Sequence, residues 1–182
     1  RSFLRRHGVF LLSEEPLHNS AVKSMSVAEN LALCNFDRPP WASWGGCFVR
    51  RKALRERAEA LIAEYGIRTQ GPDARLDTLS GGNVQRCVLA RELSEPVSLL
   101  ITQNPCFGLD LAAVAEIRNR IVAARNAGAA VLLISEDLDE ILQLSDRIVV
   151  MFDGEITYET AREEADIKVI GRHMAAHEAS TA

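Results

Sequence analysis

The chain has 182 residues, 47% of them hydrophobic and 25% charged, with a formal net charge of −4. Length and composition fit one globular domain with a buried core. The acidic balance argues against nucleic acid as a main partner, since phosphate backbones are bound by clustered Lys and Arg. No apolar run approaches the ~18 residues of a membrane-spanning helix.

One local basic cluster, Arg50, Arg51, Lys52, Arg55 and Arg57, is interleaved with Glu56 and Glu59 at helical spacing, which reads as a solvated helix face. Cys34, Cys47, Cys87 and Cys106 stand far apart, with neither a CxxC pair nor a His at ligand spacing. They suggest reduced thiols rather than a disulfide framework or a zinc site. The first residue is Arg1, within what reads as a structured segment without a secretory signal, so a fragment or trimmed gene product is expected.

In chain order, residues 9–12 read as a short buried strand ended by Ser13-Glu14-Glu15-Pro16, with loop over 16–24. Ser26 and Glu29 have the spacing of a capping box and predict a short helix to about Leu33. Residues 37–46 hold two Pro, two Gly and two Trp and read as an irregular connector whose tryptophans cover the edge of the core. Over 50–65 an amphipathic helix is predicted, with Leu54, Ala58, Leu61, Ile62 and Tyr65 on one face and Gly66 at its end. Gly71-Pro72-Asp73 reads as a turn, 81–94 as a helix and 98–102 as an apolar strand. Asp110 starts a long helix that Gly128 stops, 130–134 is a second buried strand, and Ser135 caps the helix after it. Strands at 147–152 and 155–158 flank Asp153-Gly154, a hairpin signal, and Thr160 with Glu163 predicts a second capping box for a helix to about Met174. The strand–helix alternation over 97–152 indicates parallel β/α units, with a mostly helical insert at about 26–70.

Leu79-Ser80-Gly81-Gly82-Asn83 stands directly before a predicted helix. The first N–H groups of a helix lack internal partners, and its dipole is positive at that end. Two glycines let another surface come close, and Ser80 adds a hydroxyl donor, so the segment suits a phosphate. Alone, Ser-Gly-Gly also fits a flexible turn. Its context is an apolar strand running into Thr102-Gln103-Asn104-Pro105, then Gly108-Leu109-Asp110, and a second apolar strand ending in Ser135-Glu136-Asp137.

This order resembles the ATPase subunits of ABC transporters. Residues 79–83 with Val84-Gln85-Arg86 are similar to the ABC signature motif and its helix. Asn83, MSVAEN at 25–30 and LLISEDLDEIL at 132–142 resemble the second ATPase domain of the sugar- and nucleoside-import branch, and the likeness covers about residues 8–175. It implies an α/β fold: a partial P-loop NTPase-like parallel sheet with an ABC helical subdomain and a C-terminal β-hairpin plus helix. Residues 1–182 would form a partial nucleotide-binding domain, with a helical and signature subdomain at about 26–94 and the β/α core remainder with C-terminal elements at about 97–175.

The resemblance also assigns roles. A phosphate-cradling GxxxxGK[ST] loop is absent from these 182 residues, and the family places it upstream of Val9. Gln103 aligns with the Asp that supports Mg²⁺, Asn104 with the Glu that polarises the attacking water, Glu136 with the switch His and Glu14 with the Gln of the coupling loop. Asn cannot take a proton at neutral pH, and a carboxylate at Glu136 would repel a phosphate. A degenerate Walker B end and an inactive own site are therefore expected. Ser80, Gly81, Gly82, Asn83 and Asp110 would serve a nucleotide held by a partner ABC ATPase domain. ATP and Mg²⁺ are expected only in that composite site, and none for the isolated chain. The implied partners are that domain and a transmembrane permease subunit, on the cytoplasmic face of the cell membrane. The alternative is a truncated structural or regulatory remnant without nucleotide function. A soluble ABC protein of translation or DNA repair fits the acidic balance and the importer-like segments less well.

Overall fold

Short α1 (Ser2–Arg6) turns into β1 (Val9–Leu12), where Phe10 and Leu12 are buried while Leu11 between them is 48% exposed. The computed structural model describes residues 2–14, 16–37, 39, 41–43 and 47–175. The chain divides into two units, residues 1–134 and 135–182.

In the first unit, part of the expected loop after β1 forms one helical turn, α2 (Pro16–Asn19). Proline at the first helical position pre-sets the backbone angle, which favours such a turn. Helix α3 (Val27–Ala32) starts with the predicted capping box: Ser26 Oγ accepts the Glu29 N–H at 3.2 Å, and the Glu29 carboxylate accepts the Ser26 N–H at 2.8 Å. In the expected irregular connector, β2 (Ala42–Ser43) forms and pairs antiparallel with β3 (Phe48–Val49) just beyond it, and the Arg50 N–H donates to the Trp41 carbonyl at 2.7 Å. Trp41 is partly buried, and Trp44 lies outside the described residues.

Helix α4 (Arg51–Glu64) buries Ala58 and Leu61 and keeps Arg51, Lys52 and Arg55 exposed, with Lys52–Glu56 and Arg55–Glu59 pairs at i,i+4. This is the solvated basic face expected from the spacing. Helix α5 (Gly81–Leu93) has Val84, Cys87, Val88, Leu89 and Ala90 at 1% exposure or less and also buries Gln85, Arg91 and Glu92. A helix buried nearly all round belongs to the middle of a core, and α5 touches α2, α3, β1 and α6 (Leu111–Asn126). Polar ties hold its far end. Arg91 bonds Glu92 at 2.8 Å and the Ser20 carbonyl at 2.8 Å, and Arg5 pairs with the same carboxylate.

Strands β4 (Leu99–Gln103) and β5 (Ala130–Ile134) complete a parallel sheet of order β1-β4-β5, in register Leu11–Ile101–Leu132. Both β1 and β5 were expected to be buried. Instead Leu11, Leu132 and Ile134 are 48–52% exposed. Successive strand residues point to opposite faces; Phe10, Leu12, Leu100 and Thr102 are buried on one of them, while α5 touches β1 and α6 touches β5. A continuous apolar run does not reveal that one face is left half-open.

The second unit opens with α7 (Leu138–Leu144). Its cap is Asp137, which accepts the Asp139 and Glu140 N–H groups at 2.9 and 3.3 Å. Ser135, the expected cap, instead donates to Glu140 at 2.8 Å. A carboxylate beside the first turn is a better match to its N–H groups and dipole than a hydroxyl two residues upstream. Strands β6 (Arg147–Phe152) and β7 (Glu155–Ala161) pair antiparallel around Asp153-Gly154, at φ 48° and 82°. Positive φ at both turn positions fits the right-handed twist of the strands and explains the Gly. So β6 belongs to a hairpin, not to the parallel sheet that the alternation suggested. The pairing reaches Arg147–Ala161, and this holds Thr160 in the ladder rather than at a cap. Asp166 caps α8 (Ile167–Met174) in its place, accepting the Lys168 N–H at 2.7 Å. Ile148, Val150 and Ile170 form this unit's own core.

Candidate functional site

The helix α5 begins at an open cleft of about 260 Å³ lined by Arg68, Ser80, Gly82, Asn83, Arg86, Asp110 and Ala112. Ser80 is the N-cap, in extended conformation, and its side chain makes no cap hydrogen bond. The N–H groups of Gly81 and Gly82 find no partner among the described residues, as expected for the first positions of a helix.

The cleft lies where the starts of α5 and α6 meet. A Cβ on Gly82 would come within 3.3 Å of Ala113 Cβ and 3.9 Å of Leu109 Cδ2, so the close approach depends on the missing side chain. Asp110 Oδ1 accepts the Ala113 N–H at 2.9 Å and thereby caps α6. Both helices turn their positive ends toward the cleft. Arg68 and Arg86 line the cleft with Asp110, and the Arg86 guanidinium is held beside it at 3.4 Å from Asn83 Oδ1. This arrangement suits an anion with several oxygen acceptors.

The strand-end residues are arranged differently. Gln103 is exposed at the end of β4, and its amide donates to the Glu14 carboxylate at 3.4 Å. Asn104 follows with φ 40°, and its N–H donates to the Ile134 carbonyl at 2.8 Å. Asn tolerates the left-handed region better than most residues. Buried Gln85 reaches from α5 to the Pro105 carbonyl at 3.1 Å and so ties the cleft's helix to this strand end. Glu136 belongs to the second unit, where it is exposed between Ser135 and Asp137. Among the described residues no group of three or more His, Cys, Asp and Glu side chains is placed to hold a metal ion. No described helix is long and apolar enough to cross a membrane.

Arg68 was not singled out from the sequence. It reaches the cleft because Asn83 Oδ1, fifteen residues on, accepts its backbone N–H at 2.8 Å. Arg86 had a local signal: it stands three residues after Asn83 on the same helix face, and its Nη1 lies 3.4 Å from Asn83 Oδ1.

No protein-family model matches the chain. It is 39% identical over 170 residues to the glucose import ATP-binding protein TsgD13 of Haloferax volcanii, covering 92% of this chain and 30% of that protein. It is 38% identical over 166 residues to the nucleoside import ATP-binding protein NupA of Lactococcus lactis, covering 88% of this chain and 32% of the relative. The chain thus spans about 30% of the length of these curated relatives. Among solved structures, the ATP-binding cassette MJ0796 in a post-hydrolysis dimer bound to ADP and Pi matches with a TM-score of 0.69 at 20% identity, over 87% of this chain and 65% of its own. MJ1267, an ATP-binding cassette in its ADP conformation, matches with a TM-score of 0.65 at 22% identity, over 97% and 68%. At these identities the two structures speak for the fold, that of part of an ABC cassette. Over most of its length the chain is homologous to sugar and nucleoside import ATP-binding proteins, which are ABC transporter ATPases.

Proposed function

We propose that this chain lends its α5 start to a composite ATP site whose nucleotide is held by a partner ABC ATPase domain. The assembly would serve an importer for a sugar- or nucleoside-like solute. The observation that carries the reading is the gathering of Ser80, Gly82, Asn83 and Asp110 around one cleft, beside the unpaired N–H groups of Gly81 and Gly82. The Ser80 hydroxyl and these N–H groups, with the Arg86 guanidinium, match the terminal phosphate of a bound triphosphate. ATP and Mg²⁺ supply the phosphoryl group and its charge neutralisation; the chain supplies donors already fixed in place.

On this reading the chain's own strand end does not hydrolyse ATP. Gln103 brings no charge to a cation, Asn104 cannot accept a proton from water at neutral pH, and Glu14 is engaged by Gln103. By the family resemblance Glu136 stands in the place of the switch His, where a carboxylate would repel a phosphate. The helical insert at about 26–70, within a helical and signature subdomain at about 26–94, would couple to a transmembrane permease subunit on the inner face of the membrane, with about 97–175 as the β/α core remainder and C-terminal elements.

The test mixes the purified chain with the importer's catalytically intact ATPase domain and follows phosphate release. The chain alone stays at background, the pair is active, and Ser80→Ala lowers the pair's rate by about 10²-fold, as for loss of one fixed donor to developing charge. An unchanged rate with Ser80→Ala refutes the assignment.

A further inference from the structure

Asn83 is 8% exposed, and both ends of its amide are used within the protein. Oδ1 accepts the Arg68 backbone N–H at 2.8 Å and faces the Arg86 guanidinium at 3.4 Å, while Nδ2 donates to Ser80 Oγ at 2.8 Å. A backbone N–H can only donate, so the amide has one orientation, with its NH₂ toward Ser80. Ser80 Oγ is therefore an acceptor in that contact, and its own proton points elsewhere.

An N-cap hydroxyl ordinarily accepts from the second or third N–H of its helix. Here the hydroxyl is diverted from that role by the side chain of the third residue. The backbone N–H of Asn83 is meanwhile satisfied by the Ser80 carbonyl at 2.9 Å. The N–H groups of Gly81 and Gly82 stay free, and the Ser80 proton is left over as a donor next to them. Arg86 beside Oδ1 draws charge toward the oxygen and strengthens the Nδ2–H donor at the other end.

We infer that Asn83 is a positioning residue: it occupies an acceptor lone pair of Ser80 so that the hydroxyl proton is presented to the cleft as a donor for a phosphate oxygen. The inference rests on the composite-site reading. It gives Asn83, which the family resemblance places among the nucleotide contacts, an action through Ser80 instead.

Asn83→Asp separates the possibilities. Aspartate keeps the size of the side chain and an oxygen for the Arg68 N–H, but it turns an acceptor toward Ser80. The Ser80 proton then swings to the carboxylate and is lost to the cleft. In the paired assay, with ATP and Mg²⁺, Asn83→Asp is expected to lower turnover by about tenfold or more, toward the about 10²-fold loss of Ser80→Ala. The double variant should be no slower than Ser80→Ala by more than about twofold, since both changes remove one donor. A purely structural Asn83 would leave Asn83→Asp within twofold of the unaltered pair, which overturns the inference. So do deficits that multiply in the double variant, because repulsion between the new carboxylate and the phosphate does not need Ser80. If Ser80→Ala itself has no effect, the composite-site reading falls and takes the inference with it. A measurement independent of turnover and of the Asp variant is the side-chain amide NMR signal of Asn83 in the 182-residue chain. Ser80→Ala should shift it, and an unmoved signal overturns the contact.

Discussion

The side-chain amide of Gln103 donates to the carboxylate of Glu14 at 3.4 Å, joining the end of β4 to the segment that follows β1. A neutral amide beside Glu14 avoids two carboxylates at one spot. Asn104, next in sequence, holds φ 40°, where a longer non-glycine side chain is less at ease. Gln103→Asp with Asn104→Glu is therefore expected to cost stability, by about 1–2 kcal/mol from the left-handed position alone. It should give no ATP turnover in the 182-residue chain, which has no GxxxxGK[ST] loop to grip the phosphates. Phosphate release and urea melts check both parts, and measurable turnover would show that the strand end can act without that loop.

The two glycines at the cleft should respond oppositely to substitution. Nothing lies within 4 Å of a Cβ at Gly81, whereas one at Gly82 meets Ala113 at 3.3 Å. Gly81→Ala should leave the melting temperature within a degree or two. Gly82→Val forces the starts of α5 and α6 apart and is expected to cost about 1–3 kcal/mol. Thermal melts of the two variants decide this; equal Tm values would mean that the close approach at Gly82 carries no strain.

What the sequence discloses is mostly local. Ser26 with Glu29, Asp110 before α6 and Asp153-Gly154 between β6 and β7 act within a few residues of themselves, and the fold uses them as their spacing suggests. Thr160 with Glu163 has the same local pattern but is overruled by a distant partner, because Arg147 pairs with Ala161 and extends β7 through Thr160. The half-open face of β1 and β5 has a similar cause: which face is covered depends on where helices pack, not on the strand's own residues. At the cleft, Ser80, Gly82 and Asn83 stand together in sequence, and Asp110 enters because Gly82 permits the contact with α6. Arg68 was invisible, since only the Asn83 amide brings it there.

The capping box predicts a pH response. The Ser26 backbone N–H, and then its hydroxyl, hold the Glu29 carboxyl below its ordinary value of 4.5. A depressed folded-state value means that the stabilisation is present above about 4.5 and is lost as pH falls through the folded value. Ser26→Ala should raise the Glu29 titration midpoint, followed by NMR of its carboxyl carbon. It should also cost about 1 kcal/mol at pH 7, the usual worth of such a cap. An unmoved midpoint would detach the acid response from the Ser26 hydroxyl and leave it to the backbone N–H alone.

Thiol chemistry should divide by burial. Cys87 is 1% exposed inside α5, and burial pushes its thiol from 9.0 up to about 12, whereas Cys47 is exposed. A thiol reagent at pH 8 should label Cys47 in the folded chain and reach Cys87 only with denaturant. The raised value favours the neutral thiol in the fold, so its contribution to stability is complete below 9.0 and declines as pH rises toward about 12. Cys87→Ala should flatten that alkaline part of the stability curve, and rapid labelling of Cys87 without denaturant would contradict its burial.

The buried ion pair at the end of α5 tests whether charge or packing holds the helical part to the sheet. The side chains of Arg91 and Glu92 are 4% and 3% exposed and lie 2.8 Å apart; Arg5 is the second cation on the same carboxylate. Removing Glu92 strands the Arg91 charge in the core, so Glu92→Ala is expected to cost about 3–5 kcal/mol, far more than a surface pair. Arg91→Met alone is milder, because Arg5 still neutralises Glu92. Arg91→Met with Glu92→Met should recover much of the loss seen in Glu92→Ala, because no buried charge is then left on α5 and the apolar side chains fill its space. Arg5, on the short first helix, can then turn toward water. Urea melts of Arg91→Met, Glu92→Met and the double form a cycle, with Glu92→Ala as the reference for a stranded charge. If the double is as unstable as Glu92→Ala, the Arg91 bond to the Ser20 carbonyl, rather than charge pairing, is what anchors this end of α5.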